Sequence, residues 1–288
     1  MATCFFVSDL HGRTSRYERL LHAIERERPE AVLLGGDLLP IELPPLRDGP
    51  PRQPEFIRDF LVPRLRALRQ RLGPNAYPRV FLILGNDDSR SEEPAVLAAA
   101  DQGVWEYIHG RRSMLGDRDV YGYACIPPSP FTLKDWERYD VSRYVDPGSI
   151  SPEEGRHTVP VDRRDIRHGT ITKDLDALVG GRSVERAIFL FHTPPHDTHL
   201  DRAALDDRTV HHVPVDVHIG SVAVRRFIEQ RQPWISLHGH VHESARLTGH
   251  WRQQIGETRC FSAAHDGPEL ALVRFDPDDP DSATRTLL

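Results

Sequence analysis

Five short apolar runs punctuate the chain, and each stops at a polar loop. They are TCFFV (Thr3 to Val7), EAVLLGGDLL (halting at Gly35-Gly36-Asp37), RVFLILGNDD (halting at Gly85-Asn86-Asp87), RAIFLFHTPP (halting at His192) and QPWISLHGHVH. Continuous apolar runs of this length, bounded by Gly, Pro and Asp, predict buried strands. Ser15 to Arg28 carries Leu20, Leu21 and Ile24 at helical spacing and predicts an amphipathic helix. PEFIRDFLVPRLRALRQRLG predicts a long helix with Pro63 inside it, and TRCFSA and LALVRFD predict two closing strands. In open α/β sheets ligands bind at the carboxyl ends of the strands, so five such ends would gather distant residues at one rim.

The rhythm breaks over about 89–182. Pro94 to Ala100 reads as helix and Val120 to Ala124 as strand, but CIPPSPFTLKDWERYD and DPGSISPEEGRHTVPVDRR lack periodicity. The expectation is one domain over 1–275, with 89–182 an insertion over or beside the rim, too poor in apolar residues for a core of its own. Trp136 and Tyr139 are expected to pack this insertion, and VDRRDIRH to be a solvated face. The acidic end, DPDDPDSATRTLL (276–288), is expected to be a weakly ordered tail. There is no internal repeat.

Composition narrows the classes. The chain has 288 residues and a formal net charge of −6, with 37 Lys+Arg against 43 Asp+Glu. That balance leaves no footprint for general nucleic-acid or anionic-membrane binding. The three cysteines, Cys4, Cys125 and Cys260, are far apart and form no CxxC, which argues against a thiolate zinc site and a disulfide framework. MATCFFVSDLHG has no basic n-region and too short an apolar run for a signal or membrane span, so a cytoplasmic protein is expected. Oligomeric state is not readable.

The strand ends then supply the chemistry: SDLHG (Asp9, His11), GGDLL (Asp37), LGNDD (Asn86, Asp87, Asp88), FHTPPH (His192) and HGHVH (His238, His240, His242). Carboxylates, a carboxamide and imidazoles without thiolate suit Mn, Fe, Zn or Mg. They outnumber what one ion needs, and a carboxylate can share its two oxygens between two cations.

D-x-H, GD, GN, H and GHxH, in this order and each at a strand end, resemble the calcineurin-like metallophosphoesterase superfamily, in its small prokaryotic form. Each motif alone is weak; the ordered set spans Asp9 to His242. The resemblance implies an α/β fold, a four-layer αββα sandwich of two mixed β-sheets flanked by helices. It implies two divalent metal ions, Mn²⁺ or Fe foremost, with Zn²⁺ or Mg²⁺ compatible. Asp9, His11 and His242 would bind one metal, Asn86, His192 and His240 the other, and Asp37 would bridge them. The activity implied is hydrolysis of a small-molecule phosphomonoester or phosphodiester by a metal-bridging hydroxide, with Asn86 meeting charge on the phosphoryl oxygens.

One position departs from the pattern. Many members read GNHD or GNHE, and Asp87 stands where that acid–base histidine would be. A carboxyl beside two dications should be ionised at neutral pH and a poor proton donor. Leaving groups that need no acid, a proton from His196 or His199, or slow catalysis are the alternatives. Arg13, after DLHG, is a candidate phosphate contact but equally a surface arginine. His238 matches no ligand position and is expected to make a strand-end hydrogen bond. His211, His212 and His218 are read as loop histidines, and Ser221 as the N-cap of VAVRRFIEQR. A catalytically weak interaction module on the same fold is the competing function, though it would have no need of seven ligands. A metallo-β-lactamase-like site ranks lower, since HGHVHE lacks that class's Asp-His pair.

Overall fold

In the computed structural model, which describes residues 3–41, 55–210 and 212–288, the apolar runs become the centres of two six-stranded sheets. The first sheet contains, in spatial order, β14 (Asp279–Leu287), β13 (Ala271–Asp276), β1 (Cys4–Val7), β2 (Ala31–Gly35), β3 (Arg79–Ile83) and β4 (Glu106–Tyr107). The second contains β11 (Arg252–Ile255), β12 (Thr258–Ser262), β10 (Ile235–His238), β7 (Ile188–Phe191), β6 (Arg118–Tyr123) and β5 (Arg111–Leu115). A two-stranded ribbon, β8 (Thr209–Val210) and β9 (Val213–Pro214), stands apart. Both large sheets are mixed: β1, β2, β3 and β4 run parallel, as do β6, β7, β10 and β12, while β13, β14, β5 and β11 pair antiparallel at the flanks.

The central strands are buried along their whole length, as continuous Val, Leu, Ile and Phe runs require when both faces are covered. β2 packs against β7 and β3 against β6, so the sheets meet face to face over one hydrophobic core. Helices α1 (Thr14–Glu27) and α2 (Val62–Leu72) pack together and cross over between strands of the first sheet. α5 (Ile171–Val179) and α6 (Val222–Arg231) do the same in the second. The shorter helices are α3 (Glu93–Asp101), α4 (Arg163–His168) and α7 (Ser244–Thr248).

Register sets where the motifs end. Cys4 lies opposite Ala31 and Val7 opposite Leu34, Gly35 lies opposite Ile83, and Leu237 lies opposite Leu190. The parallel strands therefore finish level, and the residues just beyond them share one rim.

Two expectations are corrected, and a third, the long helix with Pro63 inside it, gains a detail. The segment 276–288 is not a loose tail: Asp279–Leu287 is an edge strand paired to β13, and Leu270 and Leu288 exchange backbone hydrogen bonds. It buries only Pro280 and Ala283 and leaves most of its polar side chains exposed, so in sequence this edge strand looks much like a disordered composition. Part of 89–182 is no insertion, because β4, β5 and β6 complete both sheets. The excursion proper lies between β6 and β7, and there Trp136 and Tyr139 are buried. The long helix begins with a π-helical turn over Ile57–Leu61, where the Val62 N–H reaches Ile57 O, and becomes α-helical at Val62. Pro63 has no N–H to give to the preceding turn, and its ring crowds the carbonyl four residues back, so the backbone widens there. The residue Pro54, where the helix was expected to start, lies outside the described residues, as does His211.

Candidate metal centre

The loops that leave the strand ends are tied to one another by their backbones. Asp9 N donates to Gly36 O and His11 N to Asp37 O (3.0 and 2.8 Å), which joins the first loop to the second. Asp87 N donates to Asp37 Oδ1 at 2.8 Å, joining the third. Within the second sheet Gly239 N donates to His192 O, and across the sheets His240 N donates to Asp9 Oδ1. Asp9, His11, Asp37 and His240 all sit at positive φ, between 46° and 71°. Asp and His tolerate that region better than most residues, yet four such residues in one site mark stored backbone strain.

Two groups of side chains result. Asp9, His11, Asp37 and His242 bring ligand atoms within 4.8 Å of one another, and so do Asp37, His192 and His240, with Asp37 common to both. Asn86 joins the second group, its Oδ1 lying 3.0 Å from His192 Nε2. Two glycines make room: a Cβ on Gly85 would land 2.7 Å from His192 Nε2 and on Asp37, and one on Gly239 would overlap Ser8 Oγ.

The free ring nitrogens are prepared for ligation. His192 Nδ1 lies 2.8 Å from Gly35 O, which holds a proton on Nδ1 and turns Nε2 toward the cluster. His11 Nε2 and His242 Nε2 lie only 3.1 Å apart, both aimed at the first cluster. His238 differs: both nitrogens are taken, by Ser236 Oγ at 2.8 Å and Thr193 O at 2.9 Å, and its ring stacks on Phe191. It is a buried structural histidine.

Electrostatics point the same way as the geometry. Burial alone would raise the Asp9 and Asp37 carboxyls, but the neighbouring imidazoles outweigh it and hold both below the usual carboxylate range. The reciprocal holds for the histidines. Despite burial, Asp37 pushes His192 up to about 10 and Asp9 pushes His242 up to about 9. His240 goes the other way, to about 3, through burial and the charge of His192. Each cluster thus draws in one positive charge, a proton where a divalent cation would serve better. The donor set fits two cations. Burial and the Asp37 carboxylate push Asp87 up to about 6, so the protein's own groups raise it where cations would lower it. At pH 7 it is ionised on either account.

Asp88 is a site residue whose role the sequence did not disclose. It is buried, and its carboxylate accepts from Leu38 N (3.1 Å), Leu39 N (2.7 Å) and Gly85 N (2.9 Å), clamping the Asp37 loop to the Asn86 loop. Burial and Asp37 raise it to about 7. Arg16 is a second: buried, it donates to the carbonyls of Asp9 and Gly267. An aspartate after GND and an arginine inside an amphipathic helix were the available signals, and neither has a distinctive spacing.

The three candidate substrate contacts have these surroundings. Arg13 is exposed and donates to Gly267 O at 3.3 Å. His196 pairs with Asp216 at 3.2 Å, and His199 stacks on His250 with centroids 4.4 Å apart. The three thiols are buried and unpaired. Among the described residues, no helix is long and apolar enough to cross a membrane.

Comparison with solved structures gives the same architecture at low identity. TT1561 of Thermus thermophilus is 15% identical with a TM-score of 0.58, the match covering 99% of this chain and 98% of that one. The phosphopantetheinyl hydrolase PptH of Mycobacterium tuberculosis is 14% identical, TM-score 0.53, over 92% and 90%. A dimetal phosphatase from Danio rerio is 14% identical, TM-score 0.52, over 95% and 91%. No curated protein matches the sequence. The family model of the calcineurin-like phosphoesterases matches residues 3–244, which takes in every strand-end motif, and the chain belongs to that family.

Proposed function

We propose that this protein hydrolyses a phosphomonoester or phosphodiester of a small molecule with two divalent cations, Mn²⁺ or Fe foremost. The observation that carries the reading is a pair of ligand clusters sharing Asp37. Asp9, His11 and His242 would hold one cation, Asn86, His192 and His240 the other, and Asp37 would offer an oxygen to each. When bound, such a pair supplies Lewis acidity that lowers the pKa of water and offsets charge on the phosphoryl group. The chain's own part is to hold these donors rigidly. Gly35 O fixes the His192 tautomer, the three N–H groups on Asp88 fix the loops, and the Asn86 amide is turned by Asp87 so that Oδ1 faces the cluster. An ionised Asp87 accepts protons rather than giving them, which favours leaving groups that need no acid, such as phenolates and phosphates. A small-molecule substrate and a cytoplasmic setting belong to the same reading.

The test is turnover of bis-p-nitrophenyl phosphate and p-nitrophenyl phosphate by metal-stripped protein, alone and with Mn²⁺, beside Asp37→Ala. Turnover that needs Mn²⁺ and is lost in the variant is the expected result, and the diester-to-monoester ratio narrows the substrate. Failure of the wild-type protein to bind two equivalents of any first-row metal would overturn it.

A further inference from the structure

His11 presents an unfinished hydrogen bond. Its Nε2 faces His242 Nε2 across the first cluster, and where Nε2 serves a cation the ring's proton belongs on Nδ1. Nδ1 is buried and has no hydrogen-bond partner among the described residues. What faces it is Asp87 Oδ2, at 3.7 Å. That is about 0.5 Å beyond hydrogen-bond range, a gap of the size that closes when a site fills. The other oxygen of the same carboxylate, Oδ1, accepts from Asn86 Nδ2 at 3.0 Å. That bond fixes the amide's orientation, because the flipped amide would set oxygen against oxygen. It leaves Asn86 Oδ1 on His192 in the second cluster. The backbone N–H of Asp87 meets Asp37, the residue common to both.

From this we infer that Asp87 is a positioning residue for both halves of the centre, one carboxylate oxygen orienting His11 and the other orienting Asn86. The inference rests on the two-cation reading above. It gives the residue that replaces the acid–base histidine a different task, which a histidine could not perform: an imidazole at that position has at most one acceptor nitrogen for two N–H donors. Carboxylate acceptors behind a ligand imidazole raise its basicity and fix its tautomer, and their loss typically costs about 10–100-fold in metal affinity.

The test is Mn²⁺ binding to metal-stripped protein, followed by the signal of free Mn²⁺ in electron paramagnetic resonance, for wild type, Asp87→Ala and Asp87→Asn. Wild-type protein binding two equivalents reports on the two-cation reading alone. Given that, Asp87→Ala is expected to weaken both equivalents by about 10–100-fold, not one of them. Asp87→Asn keeps one acceptor oxygen and is expected to fall between the two. Wild-type affinity at both sites in Asp87→Ala, with turnover lost, would overturn the inference and place Asp87 on the substrate instead. Weakening at one site only would also overturn it. Near-ultraviolet circular dichroism on each variant separates loss of ligands from loss of fold.

Discussion

Gly85 shows how tightly single residues are specified at the rim. A methyl group there would strike Asp37 and His192 together, one the shared carboxylate and the other a ligand of the second cluster. Neither neighbour is a flexible side-chain end, because Asp37 is fixed through Asp87 N and His192 through Gly35 O. Gly85→Ala is therefore expected to cost about 1–3 kcal/mol by overpacking. It should also cut Mn²⁺-dependent turnover at least tenfold by displacing ligand atoms. Gly181, which has open space where a Cβ would go, supplies the control: Gly181→Ala should leave both quantities unchanged. Urea midpoints and p-nitrophenyl phosphate rates of the two variants decide it, and equal behaviour would refute the close-approach argument. At this scale the sequence was readable where a residue type carries its own chemistry. The residues gathered into the two groups, Asp9, His11, Asp37, His192, His240 and His242, are ones the motifs name. Asp88 and Arg16 were not readable, because a carboxylate that clamps loops looks the same in sequence as one that meets solvent.

Among the elements, strands with continuous apolar runs and helices with a clear stripe were legible, since burial imposes a period on both. The excursion between β6 and β7 was not, and its contacts say why. It is organised by polar hubs, two of them buried, at Asp135 and Glu137, and one half-buried, at Asp140. Asp135 accepts from Arg90 N and Thr158 N at 2.8 Å each, and Glu137 takes Lys134 Nζ and Ser129 N. Asp140 receives Val222 N at 2.7 Å, Ala223 N at 3.1 Å and the Ser221 hydroxyl at 2.5 Å. Such hubs join residues up to 83 positions apart and leave no periodicity to read. The last of them has a consequence for α6. Ser221 caps that helix as its sequence suggested, accepting from Val224 N at 3.0 Å, but Asp140 satisfies the two N–H groups before it. Asp140→Ala leaves these partly buried donors without their acceptor and is expected to lower stability by about 1–2 kcal/mol. Asp140→Asn, with one acceptor oxygen, should recover part of the loss. A urea midpoint unchanged in Asp140→Ala would show that Ser221 alone anchors the helix.

For the whole molecule, the shared hydrophobic core holds the two sheets together, and His109 adds a joint between both sheets and the excursion. It lies just after β4 of the first sheet, accepts Ala124 N beyond β6 of the second through Nδ1 at 3.0 Å, and meets Trp136 of the excursion edge-on at 5.0 Å. Trp136 in turn donates its indole N–H to Asp88 O at 2.7 Å, which ties the joint to the metal centre. The two sheets could be anticipated from motif order, but this joint could not, since a single histidine between β4 and β5 has nothing to distinguish it from a surface residue. Burial, with Arg90, Arg138 and Arg111 adding positive charge, pushes His109 down to about 3. Tyr107 and Tyr123 pack beside the ring and offer it no negative charge. In the unfolded chain the same imidazole takes up its proton near pH 6.5. Between those two values the unfolded state binds a proton that the folded state refuses, so stability falls as pH falls. The contribution is whole above about pH 6.5 and declines by about 1.4 kcal/mol for each unit below it, toward pH 3. His109→Asn keeps an acceptor near the place of Nδ1 and removes the titration. Other groups, Asp88 among them, titrate over the same range, so the quantity to measure is the difference between wild type and variant. Urea midpoints taken every half unit from pH 7.5 to 4.5 should show wild type losing stability relative to His109→Asn as the solution is acidified. A difference that stays constant across that range would mean that His109 takes up its proton as readily in the fold as in the unfolded chain, which would overturn the neutral, buried ring as the acceptor of Ala124 N.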